Sequence, residues 1–130
     1  MIDFIVFSAL DGRILRWGSC EAYILPMQAQ ENELVWQGPY HDPDLYYFED
    51  DQPCLRPSVE VETEYQIAAD GVEAVEIALP AGSTVIDRQT REWFENEDEI
   101  YFSTEVPGVT RYHVIPPMPF REFEVKIDAA

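Results

Sequence analysis

Positive charge is scarce in this chain. Lys126 is the only lysine, and it joins seven arginines against 26 carboxylates, for a formal net charge of -18 over 130 residues. Affinity for a phosphate backbone is built from Lys and Arg, so nucleic acid is excluded as a partner. Two arginines face ten carboxylates ahead of Arg56, and six basic residues face sixteen acidic ones from Arg56 onward, so the acidity is general and no acidic tail stands apart. Such a field keeps a protein dispersed and draws it toward basic partners, though salt limits its reach to about 8 Å.

Long apolar runs are missing too. The opening MIDFIVFSALDG has no basic n-region, and its apolar stretch is too short for a signal peptide or a membrane span, so a soluble chain made in the cytoplasm is expected, with no membrane insertion. Cysteine is limited to Cys20 and Cys54, outside any CxxC spacing, which reads as two buried reduced thiols, with a mutual disulfide as the alternative. His41 and His113 are the only histidines, and no nucleophile elbow, phosphate-cradling glycine loop or His-Glu-x-x-His occurs. The expectation is therefore no catalytic residue, no cofactor and no enzyme activity. Acid–base pairs among 26 carboxylates carry no signal, because any two can converge.

Two places bear enough ligand-type residues to hold a metal. ENEDE (Glu95 to Glu99) packs four carboxylates into five residues without the glycine-punctuated spacing of a calcium loop, and reads as a solvated loop. His41, Asp42 and Asp44, with Cys20, Cys54 and His113, match no zinc-ligand spacing. No metal is expected.

What the chain does have is a period of two. VEVETEYQI (Val59 to Ile67), VEAVEIAL (Val72 to Leu79) and REFEVKI (Arg121 to Ile127) alternate apolar and charged residues, the pattern of strands with one buried and one wet face. Earlier, DFIVFSA and RILRWGS flank Leu10-Asp11-Gly12, a strong hairpin signal. EAYILPMQAQEN has room for a helical turn or two, shortened by Pro26. ELVWQG reads as a third strand, and LYYFE with PCLRP around Asp50-Asp51-Gln52 as a second hairpin.

These features predict a mainly β protein with a boundary at Arg56-Pro57-Ser58: a small N-terminal β-hairpin subdomain over 1–56, then an immunoglobulin-like β-sandwich over 57–130. The second part is expected to hold six strands, Val59 to Ile67, Val72 to Leu79, Thr84 to Arg88, Glu99 to Glu105, Val109 to Ile115 and Arg121 to Ile127, without the Cys…Trp…Cys core of antibody domains. IPPMPF (Ile115 to Phe120) reads as a stiff connection between the last two.

The aromatics read mostly as core, with the remainder suited to a protein interface. Tyr46, Tyr47 and Phe48 are consecutive, so at least one ring must leave the face that the others bury, and Trp17, Trp36 and Trp93 are too large to hide easily. Arg13, Arg16 and Arg56 are expected as edge contacts to an acidic neighbour, since a guanidinium matches a carboxylate well. With Trp17, Tyr46, Tyr47, Trp93 and Tyr101, they form the candidate partner-binding set.

GRILRWGSC (Gly12 to Cys20), ELVWQG, LYYFEDDQPCLRP (Leu45 to Pro57), IALPAGSTV (Ile77 to Val85) and VPGVTRYHV (Val106 to Val114), taken in that order, resemble a loose group of small tailed-bacteriophage proteins encoded among tail and tail-fibre genes. The chain departs from that pattern at Asp87 to Glu97, where a charged loop with Trp93 and Phe94 replaces a short glycine turn. The resemblance implies a non-enzymatic virion component of the tail tip, baseplate or fibre-attachment region, present in repeated symmetric copies and contacting other tail proteins. It leaves open a tail-fibre assembly chaperone, and a module that binds a host receptor or glycan or inhibits a host protein, for which Trp93 and Tyr101 are the residues to test.

Overall fold

The computed structural model describes residues 1–130 and divides into two compact units, Met1–Pro57 and Ser58–Ala130. Strands dominate both, as the alternating sequence requires, and the mainly β class holds.

Unit 1 is built around β1 (Ile2–Ser8), which pairs antiparallel with β2 (Ile14–Cys20) on one side and β3 (Glu33–Gln37) on the other. The uninterrupted run Phe4-Ile5-Val6-Phe7 is buried along its whole length, because both faces of this small sheet are covered. On one face Ile5, Phe7 and Ile14 pack against Phe48 of β4 (Tyr46–Glu49), with Trp36 and Tyr46 at the margin. On the other, Phe4, Val6 and Cys20 meet Ile24 and Leu25 of a short 3-10 helix (Ala22–Gln28), together with Val35. Pro26 lies inside that helix and donates no backbone hydrogen bond, consistent with its shortness.

Strand β4 turns into β5 (Gln52–Leu55) through Asp50 and Asp51, both with positive φ (53° and 58°), as a tight hairpin turn demands and as aspartate tolerates better than most residues. The β1–β2 turn is fastened beneath β4. Gly12 adopts φ 78°, and its carbonyl accepts a 2.8 Å hydrogen bond from the Phe48 N–H. Here only glycine fits, since a Cβ would lie 2.0 Å from the Phe48 carbonyl oxygen.

Unit 2 is a mixed five-stranded sheet in the order β6-β10-β9-β7-β8, comprising β6 (Glu64–Ile67), β7 (Val75–Asp87), β8 (Trp93–Phe102), β9 (Gly108–Ile115) and β10 (Phe123–Ala129). Two of the six expected strands are one. Val72 to Leu79 and Thr84 to Arg88 merge into β7, whose register slips between Ala78 and Ser83 at Pro80-Ala81-Gly82. The kink is closed by the Ser83 hydroxyl, fully buried and donating to the Pro80 carbonyl at 2.6 Å. Before the kink β7 pairs with β8 alone, and after it with both β8 and β9. Val75, Ile77 and Leu79 from the first half and Val85 from the second share one core with Ile100, Val114, Val125 and Ile127, so the bent sheet encloses that core in a sandwich-like manner.

Two further expectations change. Of the alternating stretch Val59 to Ile67, only Glu64–Ile67 is a strand, because β10 offers it a parallel partner from Lys126 to Ala129 and no further. The charged segment Asp87 to Glu97 is mostly not a loop: β7 runs to Asp87 and β8 begins at Trp93, so ENEDE lies within a strand. β10 keeps its period, with Val125, Ile127 and Ala129 buried between polar neighbours.

Candidate interaction surfaces

In unit 1, the register places Trp17 and Trp36 on either side of Ile5, a row of three apolar side chains across the sheet. The loop after β3 folds over this row. Tyr40 sits against Trp17 with ring centres 5.0 Å apart, and His41 lies edge-on between Trp36 (5.5 Å) and Tyr46 (4.8 Å). The His41 Nδ1 proton is donated to the Pro39 carbonyl at 2.9 Å, which fixes the ring in the loop. Deeper in, Phe48 stacks on Phe7 at 4.3 Å and tilts against Trp36. The cluster thus grades from a buried base to a wet rim, where Trp17 is 49% and Tyr40 56% exposed.

The three arginines of this unit are differently employed. Arg16 is a brace: its guanidinium grips both Glu33 carboxylate oxygens, at 2.6 and 3.2 Å, and also donates to the Gln28 carbonyl. The hydrogen bond from Arg16, with a second from the Gln30 N–H, holds the Glu33 carboxyl below the usual carboxylate range. Arg56 donates from Nη1 to the Pro43 carbonyl at 3.0 Å and from its backbone N–H to Leu45, so it ties the end of β5 to the loop ahead of β4. Arg13 is exposed, with Asp11 at 4.0 Å. Tyr47 points away from Tyr46 and donates its hydroxyl to Glu49 at 2.7 Å. That bond, reinforced by partial burial, pushes the phenol up to about 12.

Trp93 and Tyr101 both belong to β8, one of the two edge strands of the unit 2 sheet, and are 62% and 61% exposed. Tyr101 borders a shallow groove of about 300 Å³, whose other lining residues are Val85, Phe94, Glu97, Glu99, Ile100 and Tyr112. Glu99 and Tyr101, in the regular part of the ladder opposite Ala78 and Glu76, are two residues apart and share one side of the strand. Burial holds the Tyr112 phenol above its ordinary value, with the Asp87 carboxylate adding to the effect.

Trp17 and Tyr46 therefore belong to one aromatic cluster, and Trp93 and Tyr101 to one strand. Arg16 and Arg56 are occupied in holding unit 1 together. Sequence reading passed over Tyr40, Phe94 and Tyr112, which complete the two surfaces. The available signal was weak: Tyr40 stands in the proline-bounded PYHDP stretch, and Phe94 beside a tryptophan already singled out. Both cysteines are free, Cys20 buried and Cys54 only partly so. No group of three or more metal-ligating side chains converges, and no helix is long and apolar enough to cross a membrane. Compared with known protein families, characterised proteins and solved structures, the chain matches none.

Proposed function

We propose that this chain is a non-catalytic adaptor that acts through protein–protein contacts and, following the resemblance described above, that it works in a bacteriophage tail, at the tip, baseplate or fibre-attachment region. The observation that carries the protein-binding part is the exposure of large aromatic rings on strands and on the loop after β3: Trp17 beside Tyr40 in unit 1, and Trp93 with Tyr101 in unit 2. Rings of this kind, anchored at their base and ringed by polar groups, are the usual energetic centres of interfaces. The acidic surface around them supports the same reading, since like charge keeps repeated copies from adhering to one another while leaving a basic neighbour free to dock.

Mass spectrometry of purified intact particles tests the tail role. The chain is expected there in a stoichiometry that matches the tail symmetry. Its absence from particles refutes that role, and its recovery only from lysates, bound to a fibre protein, transfers the assignment to an assembly chaperone.

A further inference from the structure

We propose that the outer edge of β8 receives an extended basic segment of another protein as an added strand. This rests on the protein-binding reading above and names the chemistry of the partner.

The edge is open. β8 is hydrogen-bonded to β7 on one side only, and none of the backbone hydrogen bonds outside the ladders involves residues 93–102. A strand of ten residues spans about 33 Å, and about half of its N–H and C=O groups point outward without a partner in the chain. From Glu99 to Phe102 the ladder to β7 runs without a shift, so that part of the edge is regular enough to template another strand.

Proteins usually blunt such an edge with lysine, proline or a bulge. β8 has an irregularity near Asn96, where φ is 57°, and no lysine or proline; its protection comes from Glu95, Glu97, Asp98 and Glu99. None of these carboxylates is in an ion pair, for the four ion pairs of the molecule use Asp11, Glu33, Glu122 and Glu124. The sign of the charge selects the occupant. A second copy of this chain would set carboxylate against carboxylate, and nucleic acid is repelled likewise. A strand carrying Lys or Arg at alternate positions meets Glu97 and Glu99 at the groove, brings a cation near the Tyr101 ring, and has the groove beside Phe94 and Tyr112 for an apolar side chain.

Binding of labelled synthetic peptides, followed by fluorescence polarisation at physiological salt, tests this. Peptides of roughly eight residues would alternate Lys or Arg with Val or Thr, and their controls would carry the same composition in scrambled order. The alternating peptide is expected to bind at least about tenfold more tightly than the scrambled one. N-methylating alternate peptide nitrogens in one register should abolish that preference, and methylating the other register should leave it. The double variant E97K/E99K should lose at least about tenfold in affinity, while E60K/E62K, an equal charge change off the strand, should lose less than about twofold. If E97K/E99K does not fold, the variant W93A/Y101A carries the same expectation at the same edge.

Equal binding of ordered and scrambled peptides, equal loss in the two charge variants, or no binding at all overturns the proposal. Presence of the chain in particles without peptide preference would overturn strand docking alone. Peptide preference with absence from particles would overturn the tail role alone.

Discussion

Replacing Gly12 by alanine should cost unit 1 at least about a third of its stability, and the size of the effect can be worked from three contributions. Holding a residue with a Cβ at φ 78° costs about 1 kcal/mol. The new methyl would lie 2.0 Å from the Phe48 carbonyl oxygen, against contact distances of about 3.5 Å, so the turn must retreat by more than about 1 Å. That retreat breaks the hydrogen bond from the Phe48 N–H, worth about 1 kcal/mol, and loosens the stack of Phe48 on Phe7, for which overpacking costs of about 1 to 3 kcal/mol apply. A loss of about 3 to 5 kcal/mol follows, against a total of about 3 to 9 kcal/mol for a unit spanning Met1–Pro57. Amide hydrogen exchange by mass spectrometry across a urea series resolves the two units separately. The control is Gly82→Ala, which shares a positive φ (88°) but has nothing within 4 Å of its Cβ, and should cost unit 2 only about 1 kcal/mol. Equal losses for the two variants would show that backbone strain alone governs Gly12 and that the clash with β4 is not felt.

Three further outcomes are expected. Because the Glu33 carboxyl is held low in the folded state, its contribution is complete above about pH 5 and is lost as the pH falls through the lowered value, so unit 1 of the natural chain should weaken more steeply in acid than Glu33→Gln, as judged by urea midpoints from about pH 5 to 2. In an ultraviolet titration Tyr47 should ionise at about 12, and Glu49→Gln, which replaces the charged acceptor, should bring its phenol down toward the ordinary value near 10. Ile127→Ala, at a fully buried position of the unit 2 core, should cost about 2 to 5 kcal/mol by denaturant unfolding, whereas Glu124→Ala on the exposed side of the same strand should stay within about 0.5 kcal/mol.

Much of the local structure was legible from residue order because its causes are local. The Asp11-Gly12 turn, the Asp50-Asp51 turn and the alternation of β10 each follow from backbone sterics or from the period of a pleated strand, and each is where the chain alone places it. Strand ends and mergers were less accessible. Pro80-Ala81-Gly82 reads as a turn between two strands, yet it is a kink within β7, because β8 pairs on both sides of it and Ser83 closes it from within. ENEDE reads as a loop because solvated carboxylates are usual in loops, and it is a strand because an edge leaves those side chains in water whichever element carries them. The candidate residues divide in the same way. Ring size alone points to exposure of Trp17, Trp36 and Trp93, of which Trp17 and Trp93 are exposed and Trp36 is half-buried, but the employment of Arg16 as a brace depends on Glu33 lying across the sheet, seventeen residues away in sequence.

Residue order alone determined that this chain is acidic throughout, is mainly β and turns at Asp11-Gly12 and Asp50-Asp51, since charge, side-chain period and φ preference belong to single residues and their immediate neighbours. Only the tertiary structure decided that Phe4 to Phe7 is covered on both faces, that one bent strand serves two parts of a sheet, and that β8 is left at the margin with its carboxylates unpaired. Those outcomes depend on which distant segments pair, and pairing is settled by the packing of the whole core.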